Sequence, residues 1–450
     1  MPHPKQHSRF FTAASLSERQ FNERGYDYHA AKEVVAGELE KLTAEQQDWV
    51  TRLEGSRRGR SKEVRARISA ILCADWGKGV EKRAVYVADV RGRRVYRREP
   101  PVEGWGVGAI LAEADRLSSD GRVLATFDAP LGVPESYLAA AAGVKSWGAP
   151  GNFLEFLRVA HGTPHFYDPT KVAEDWRVER PFFCVPKGKG GLTSYQSAAT
   201  RHGVQLLRSI DRRTRAKTMF ATSGIPGSVG SATCALWREM GSLLQNERNF
   251  KVWPFEGSLE TLLRSSVICV GEIYPRAAYA TALVDGAVEG RAPVSLAKTD
   301  GDIRSLAIHA LLESKWVRLH GVRIEDAEDA ENSEDDFDAC VTAAALLRCE
   351  LEELPFCGPW LECDQTEGGM LGTGSINLAL SEQPWRDVAG GAAARSFRCP
   401  IPGCEKIYEG TRGGWDSHVA SVRAHSLWHP EVVSAEERKL RFKEEFSEFF

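Results

Sequence analysis

Apolar positions in the first half of the chain follow the spacing of β-strands. Four short segments with strand-like spacing are bounded by charged, glycine or proline positions, at residues 68–77, 82–90, 93–99 and 122–130. Arg91 and Gly92 form a connector short enough for a hairpin between the second and third runs, and helical spacing returns over 108–119. Three linked strands, a helix and another buried strand predict a mixed α/β sheet.

The second half of the chain adds one further strand and many helices. Residues 135–262 are mainly helical and loop-rich, and they separate the fourth strand from the next apolar run at 265–275. Three helices are then predicted, over residues 275–284, 302–314 and 339–354. Glycine, serine and alanine are dense after residue 365, so we expect a loop there and then a linker over 381–395.

The N-terminal residues 1–67 are predicted to be a helical region. Two capping boxes, at 15–18 and 43–46, place a hydroxyl and an acid or amide where they satisfy backbone N–H groups at a helix start. The following run, 57–67, carries six basic residues. It is either a solvated linker and helix face or an arm that contacts phosphates.

Composition and charge narrow the class of protein. Lys plus Arg is 58 and Asp plus Glu is 62, which excludes a uniformly basic nucleic-acid coat but not local basic patches. The chain has no run of 18 apolar residues and no apolar stretch with a cleavage site at its start, so neither a membrane span nor a secretory signal is expected. Ten cysteines are too few for a disulfide scaffold, which predicts mostly reduced thiols and a cytoplasmic protein.

The most specific local pattern lies near the C-terminus. Two cysteines flank a proline–glycine turn and two histidines follow on a helical stretch: Cys399, Cys404, His418 and His425. Two thiolates and two imidazoles suit tetrahedral Zn²⁺, and four protein ligands leave no open position, so the zinc is expected to be structural. Tyr408 and Trp415 match the two apolar core positions of a two-Cys-two-His zinc finger, which the segment resembles. The x13 and x6 spacings exceed the usual ones by about one residue each, so His429 stays open as a substitute for His425.

The chain is therefore expected to have five parts. They are an N-terminal helical region (1–67), an α/β domain (68–380) with a helical insertion (135–262), a linker (381–395), a ββα zinc finger (396–430) and a C-terminal helix (431–450). Single fingers bind protein partners as well as DNA. Only Ser417 and Arg423 are obvious base readers in this finger, so the sequence assigns it no base specificity.

Acidic residues stand where three predicted strands end and where the last long helix begins. They are Asp75, Asp128, Glu272, Asp335 and Asp338. Carboxylates gathered at one edge of a sheet bind hard divalent cations. Two such ions about 4 Å apart activate a water and stabilise the leaving oxygen of a phosphodiester. Each acid also has a simpler interpretation as a turn, strand-end or helix cap, or, for Glu272, as the partner of Arg276.

The segments that carry these acids resemble a known family. The segments are ADWGKG (74–79), TFDAPLGVP (126–134), GEIYPRAAY (271–279) and DDFDACVTAAALL (335–347), with EGGMLGTGS (367–375) after them. Two others, GIPGSVG (224–230) and KVWPFEG (251–257), also fit. Over roughly residues 70–380 the chain resembles the predicted RNase H-like nuclease family, formerly described as a domain of unknown function. The N-terminal helices and the zinc finger lie outside the resemblance.

The resemblance implies a ribonuclease-H-like fold, in which three antiparallel strands precede parallel strands with flanking helices. It also implies a metal-binding set for Mg²⁺ or Mn²⁺ made of Asp75, Asp128, Glu272 and Asp338, with Asp335 as a candidate extra ligand. In that scheme Asp75 bridges two metal ions, and Asp128 and Asp338 each hold one side. Glu272 completes the set or positions the attacking water.

Two basic segments are candidate nucleic-acid contacts. Their residues are Arg208, Arg212, Arg213, Arg215 and Lys217, in the run 208–217, and Lys187 and Lys189, in a glycine-rich loop. Phosphate contacts of this kind would track a nucleic-acid backbone. A solvated helix face and an ordinary loop are the simpler interpretations.

The sequence thus predicts a cytoplasmic, metal-dependent nuclease that hydrolyses nucleic-acid phosphodiesters by a two-metal mechanism, without membrane contact. DNA, RNA, hybrid and branched substrates stay open, as do endo- and exonucleolytic cleavage. One alternative is a nucleotide-dependent phosphotransferase of the actin and sugar-kinase type, because the segment from Asp75 to Lys78 is similar to its first phosphate loop. The other is a non-catalytic adaptor that binds nucleic acid or protein.

Overall fold

The computed structural model describes most of the chain from Ile68 onward. The described residues are 68–186, 191–225, 227–246, 248–357, 365–374, 376–388, 397–401, 404, 407–408, 425, 428–432 and 434–446. Several predictions fall outside this set: the helical region 1–67, Lys187, Lys189, Trp415, Ser417, His418 and Arg423.

A seven-stranded mixed sheet lies at the centre of the described chain. In chain order the strands are β1 (Ile68–Asp75), β2 (Ala84–Asp89), β3 (Arg94–Arg97), β4 (Arg122–Phe127), β5 (Phe183–Cys184), β6 (Ala221–Ser223), β7 (Phe250–Val252), β8 (Ile268–Glu272), β9 (Val294–Ser295), β10 (Arg323–Ile324), β11 (Gln383–Pro384), β12 (Phe397–Arg398) and β13 (Ile407–Tyr408). The large sheet has the order β10-β3-β2-β1-β4-β8-β7. Strands β1, β2 and β3 are antiparallel to one another, whereas β4, β8 and β7 run parallel to β1. The predicted mixed α/β class is therefore confirmed.

Helices cover both faces of this sheet. They are α1 (Val107–Leu117), α2 (Glu135–Ala142), α3 (Phe153–His161), α4 (Gly191–Arg201), α5 (Ser209–Thr214), α6 (Gly230–Leu243), α7 (Leu259–Ser265), α8 (Pro275–Leu283), α9 (Gly301–Glu313), α10 (Lys315–His320), α11 (Ala327–Asn332), α12 (Glu334–Leu351), α13 (Trp385–Val388) and α14 (Ala435–Glu445). Every residue of β1 is buried, and apolar residues alternate little with polar ones in it, as expected for a strand covered on both faces. Leu72 joins the apolar cluster on one face, and its neighbour Cys73 joins the cluster on the other.

The helix that carries the last two acids begins earlier than predicted. The sequence placed its start at residue 339, but α12 begins at Glu334. The hydroxyl of Ser333 accepts a hydrogen bond from the N–H of Asp336 at 3.2 Å and caps the helix. Asp335 and Asp338 therefore both lie within the helix, where residues three apart share a face.

Residues 135–262 are less uniformly helical than predicted. Strands β5 and β6 pair with each other inside this insertion, and β7 joins the edge of the central sheet beside β8. In β7, Phe250 and Val252 are buried and Lys251 is exposed, so the alternation is present but only three residues long. Part of the expected linker is also ordered, because β11 and α13 occupy residues 383–388.

The structure also bears on the expected absence of a membrane span and on the expected state of the cysteines. Within the described residues, no helix is both long and apolar enough to cross a bilayer. Cys73, Cys269 and Cys340 are buried thiols, as expected. Cys357, in contrast, is disulfide-bonded.

Candidate metal centre and its surroundings

Two central parallel strands bring Asp75 and Asp128 together. Asp75 is the last residue of β1, and Asp128 directly follows β4. Ala74 is in register with Phe127, and the N–H of Asp128 donates to the carbonyl of Ala74 at 2.9 Å. The two carboxylates therefore leave the sheet side by side, at the edge where parallel strands present their carboxyl ends.

Helix α12, which packs against β1 and β2, adds Asp338 to this pair. One carboxylate oxygen from each of Asp75, Asp128 and Asp338 lies within 4.8 Å of the other two. We call these three residues the acidic centre. Asp75 and Asp338 are buried, and Asp128 is half-buried. Asp335, half-buried one turn before Asp338, is in hydrogen-bonding contact with the carboxyl of Asp75.

Burial makes the ionised form of these carboxyls costly. It raises the pKa of Asp75 well above its usual range, and repulsion from Asp128 and Asp338 adds to that rise. Burial and the charge of Asp338 raise the pKa of Asp128 to about 7. Burial also raises the pKa of Asp335 and of Asp338. Such a group of acids is stabilised by any cation that neutralises it.

One cation of the chain itself lies at the centre. The ammonium of Lys298 contacts Oδ2 of Asp338 at close range. The hydroxyl of Tyr279 donates to the other oxygen, Oδ1, at 2.5 Å. Lys298 opposes the effect of burial on the pKa of Asp338, of Asp128 and of Asp75.

The sequence analysis missed both partners of Asp338. Tyr279 lies one turn after Pro275 in the segment GEIYPRAAY, so its place on α8 was visible but its contact was not. Lys298 lies in a loop between β9 and α9 with no recognisable motif around it. Only the tertiary structure brings this loop to α12.

Glu272 does not join the acidic centre. It is in register with Phe127 at the end of β8, next to Asp128 in the sheet. However, its carboxylate accepts two hydrogen bonds from Arg208, each at 2.7 Å, and a third from the N–H of Leu131 at 2.7 Å. The interpretations of Glu272 as a metal ligand or as the partner of Arg276 are therefore corrected: it binds a buried guanidinium.

Arg208 is likewise corrected from a surface nucleic-acid contact to a buried group. Its side chain is 0% exposed, and besides Glu272 it binds Asp211 at 2.8 Å. The charge and length that suggested a phosphate contact serve instead to hold β8 to the start of α5. Arg276, the partner once considered for Glu272, pairs with Glu382 at 2.8 Å.

The loop after β4 and the segment 367–371 meet beside this ion pair. A Cβ added to Gly132 (φ +136°) would lie 2.0 Å from the carbonyl oxygen of Glu367, and one added to Gly368 (φ +94°) would lie 2.2 Å from that of Leu131. The carboxylate of Glu367 accepts from the N–H of Ser209 at 2.6 Å and of Glu135 at 3.1 Å. Glu367 thus stabilises the starts of two helices, a role the sequence did not indicate.

The other basic residues of the run 208–217 are exposed: Arg212, Arg213, Arg215 and Lys217. Arg213 and Arg215 line a narrow cleft with Arg276, Tyr274 and Glu382. Burial raises the pKa of Tyr274, and the charge of Asp128 contributes to the rise. Tyr274 follows the end of β8 by two residues, and β8 pairs with β4, which Asp128 follows, so the cleft begins at the same edge of the sheet as the acidic centre. Three arginines against one glutamate leave this cleft with net positive charge. We call it the arginine cleft.

A second cluster of ligand-type residues lies in the predicted finger. Donor atoms of Cys399, Cys404 and His425 lie within 4.8 Å of one another, and Cys399 Sγ is 3.6 Å from His425 Nε2. Strands β12 and β13 form an antiparallel pair that carries the first part of the finger. The fourth predicted ligand, His418, lies outside the described residues.

His429 does not join this cluster. Its Nδ1 is 3.0 Å from a carboxylate oxygen of Glu431, and its Nε2 is 2.5 Å from one of Glu445 on α14. The buried guanidinium of Arg438, also on α14, donates to the carbonyls of His425 and Trp428. The structure therefore favours His425 over His429 as the ligand.

Both clusters have donor sets that suit a metal. The acidic centre offers carboxylate oxygens alone, which fit a hard divalent cation such as Mg²⁺ or Mn²⁺. The cluster of Cys399, Cys404 and His425 offers two sulfurs and an imidazole, which fit Zn²⁺. No family model, curated protein or solved structure matches this chain.

Proposed function

We propose that this chain is a divalent-metal-dependent nuclease with a ribonuclease-H-like core. The observation that carries the proposal is the convergence of Asp75, Asp128 and Asp338, whose carboxylate oxygens lie within 4.8 Å of one another. These acids come from segments more than 50 residues apart, so local turn or cap chemistry does not account for their meeting. A buried group of acids with raised pKa values is typical of a functional site.

The sheet topology supports the core fold in this proposal. Strands β3-β2-β1-β4-β8 are neighbours in that order, with three antiparallel strands followed by parallel ones. This is the arrangement implied by the family resemblance. The acids also lie at the carboxyl ends of β1 and β4, where open α/β sheets place their ligands.

The chain's own residues have distinct parts in the proposed site. Asp75, Asp128 and Asp338 would hold Mg²⁺ or Mn²⁺, with Asp335 as an additional ligand. When bound, these ions lower the pKa of a water and stabilise the leaving oxygen of the phosphodiester. Tyr279 fixes the orientation of Asp338 through its hydrogen bond. Burial of the carboxylates limits competition from bulk water.

The arginine cleft supports a nucleic-acid substrate. Arg213 and Arg215 are exposed beside the acidic centre, and guanidinium groups bind phosphate oxygens with paired hydrogen bonds. The ligand we propose for the cleft is a backbone phosphate, because Arg213, Arg215 and Arg276 line it.

The finger would contribute a structural Zn²⁺ site made of Cys399, Cys404, His425 and, from the sequence, His418. Its partner, nucleic acid or protein, would hold the nuclease near its substrate. A cytoplasmic location remains part of the proposal.

The test is a cleavage assay on end-labelled single-stranded, duplex, hybrid and branched DNA and RNA, with Mn²⁺ or with EDTA. Wild type is compared with Asp75→Asn and with Asp120→Asn, an exposed acid remote from β1's end. We expect Mn²⁺-dependent cutting of at least one substrate, lost in Asp75→Asn and kept in Asp120→Asn. Cutting that survives in Asp75→Asn, or no cutting by folded and zinc-loaded protein, contradicts the proposal; ATP turnover instead would favour the phosphotransferase.

A further inference from the structure

We propose that Lys298 is a built-in cation of the acidic centre, which takes the place of one metal ion and has to leave Asp338 before the centre fills. This inference rests on the proposed function, because it concerns the same site. It assigns Lys298 a role in metal occupancy that the position of a loop lysine in the sequence does not suggest.

Each carboxylate oxygen of Asp338 already has a partner. Its Oδ1 accepts from Tyr279, and its Oδ2 is in contact with the ammonium of Lys298. Asp338 is only 2% exposed, so its carboxylate has no second face turned to water. A metal ion at Oδ2 and the ammonium at Oδ2 would repel each other at contact distance. The two cations therefore exclude one another.

The acidic centre contains more acidic groups than cations. Three carboxyl groups of the acidic centre, with Asp335 beside them, share one ammonium. One ammonium cannot accompany all of these groups in their ionised forms, so a divalent ion would stabilise more of the carboxylates than Lys298 does. The ammonium is nevertheless enough to relieve part of the repulsion while no metal is bound, because it lies against the most buried carboxylate of the group.

The backbone of Lys298 is held by hydrogen bonds, whereas its side chain reaches solvent. The guanidinium of Arg304 donates to the Lys298 carbonyl at 2.6 Å and to the Glu331 carbonyl at 2.9 Å, and this fixes the loop to α11. In contrast, the side chain of Lys298 is 37% exposed. A flexible four-carbon stem on a fixed backbone lets the ammonium move into water without unfolding the loop.

Competition between the Lys298 ammonium and a metal ion has a consequence that is measurable without catalysis. If the ammonium competes with a metal ion, its removal raises the affinity for the metal and lowers the stability of the metal-free protein. If Lys298 were only a structural partner of Asp338, its removal would disturb Asp338 and weaken metal binding as well. The two roles therefore predict shifts of opposite sign in metal affinity.

The experiment is a Mn²⁺ titration of the full chain, with a melting curve in EDTA, for wild type and Lys298→Met. The matched control is Lys251→Met, on β7. This lysine is not part of the acidic centre, and its Nζ pairs with Oε1 of Glu256 at 3.2 Å. We expect Lys298→Met to lower the dissociation constant for Mn²⁺ about tenfold. We also expect it to melt earlier in EDTA and to recover with saturating Mn²⁺, while Lys251→Met keeps the wild-type affinity.

A second variant keeps the proposal testable if Lys298→Met does not fold. Lys298→Arg retains the charge and offers two parallel hydrogen bonds to Asp338, so it is expected to bind Mn²⁺ more weakly than wild type. An unchanged or weaker Mn²⁺ affinity in Lys298→Met overturns the inference, as does a tighter affinity in Lys298→Arg. This experiment does not measure cleavage, so its outcome is independent of the cleavage assay. The expected affinity shifts in a protein that cuts no substrate would support the role of Lys298 and contradict only the proposed nuclease activity.

Discussion

Arg208 and Glu272 form a buried ion pair in which Nη1 and Nη2 each donate to a carboxylate oxygen at 2.7 Å. The pair lies beside the acidic centre but is chemically separate from it. One acid at this sheet edge is neutralised by a guanidinium, whereas the acids of the centre meet one another. This contrast separates Glu272 from the three carboxylates that are candidates for a metal site.

Loss of the Arg208 guanidinium is expected to destabilise the fold strongly. Arg208→Ala leaves Glu272 and Asp211 buried without their cation, which costs about 3–5 kcal/mol in the free energy of unfolding. Arg212→Ala, four residues later and exposed, is expected to change the free energy of unfolding by less than about 0.5 kcal/mol. Urea unfolding followed by fluorescence measures both. Equal effects of the two variants would mean that the buried pair does not hold the site together.

The arginine cleft predicts a selective loss of nucleic-acid binding. Arg213→Ala combined with Arg215→Ala removes two of the three guanidiniums that line the cleft, so affinity for single-stranded nucleic acid should fall about tenfold. The salt dependence of binding should also become shallower. Fluorescence anisotropy at several salt concentrations, with Mn²⁺ omitted, measures both quantities.

Arg212→Ala is the matched control for the cleft. Arg212 is exposed like Arg213, but it does not line the cleft, and its guanidinium donates to the carbonyl of Leu207 at 2.8 Å. Binding should therefore stay close to wild type. A loss as large as that of the double variant would indicate a diffuse basic surface in place of a defined cleft.

The sequence located five strands of the central sheet and three acids at its edge, but not the partners of these acids: the strands are β1, β2, β3, β4 and β8. Strands β1 and β4 were recognisable because their apolar runs end at Asp75 and Asp128. Strand β7 was missed because three residues are too few to show a period. Glu272 ends its strand as Asp75 does, and a strand-end carboxylate carries no local sign of what it faces. Arg208 and Lys298 reach these acids only through tertiary folding, which no spacing records.

The ion pairs of Glu256 beside β7 predict how the stability of the fold depends on pH. Burial alone would raise its pKa, but hydrogen bonds from Arg248 and from the N–H of Val252 lower the pKa below its usual value. A carboxyl with a lowered folded-state pKa contributes stability above its unfolded pKa of 4.5, and this is lost as pH falls through the folded value. Glu256→Gln should therefore cost about 1–2 kcal/mol at pH 7.

The measurement for Glu256 is chemical denaturation at pH 7 and at successively lower pH. The difference between wild type and Glu256→Gln should shrink on the acid side as Glu256 takes up a proton. Glu260→Gln is the control, since Glu260 is exposed and pairs only across one helical turn with Arg264. A difference that is constant with pH would show that shape, not charge, accounts for the effect.

Zinc content separates the two histidines considered as ligands. Cys404→Ser removes a donor from the Cys399, Cys404 and His425 cluster, so the purified chain should lose its zinc. His429→Ala should keep it, because both ring nitrogens of His429 contact glutamates. Elemental analysis of the gel-filtered protein measures the zinc content of each variant. Zinc lost from His429→Ala and kept in Cys404→Ser would reverse the assignment.

The central claim is that the acidic centre is a metal site, and crystals of the full chain grown with Mn²⁺ test it most directly. Data collected near the manganese edge give anomalous density wherever the ion is bound. The account predicts a peak in contact with the carboxylates of Asp75, Asp128 and Asp338, with the Lys298 ammonium withdrawn from Asp338. A centre without anomalous density at saturating Mn²⁺, with Lys298 still bound to Asp338, would contradict it.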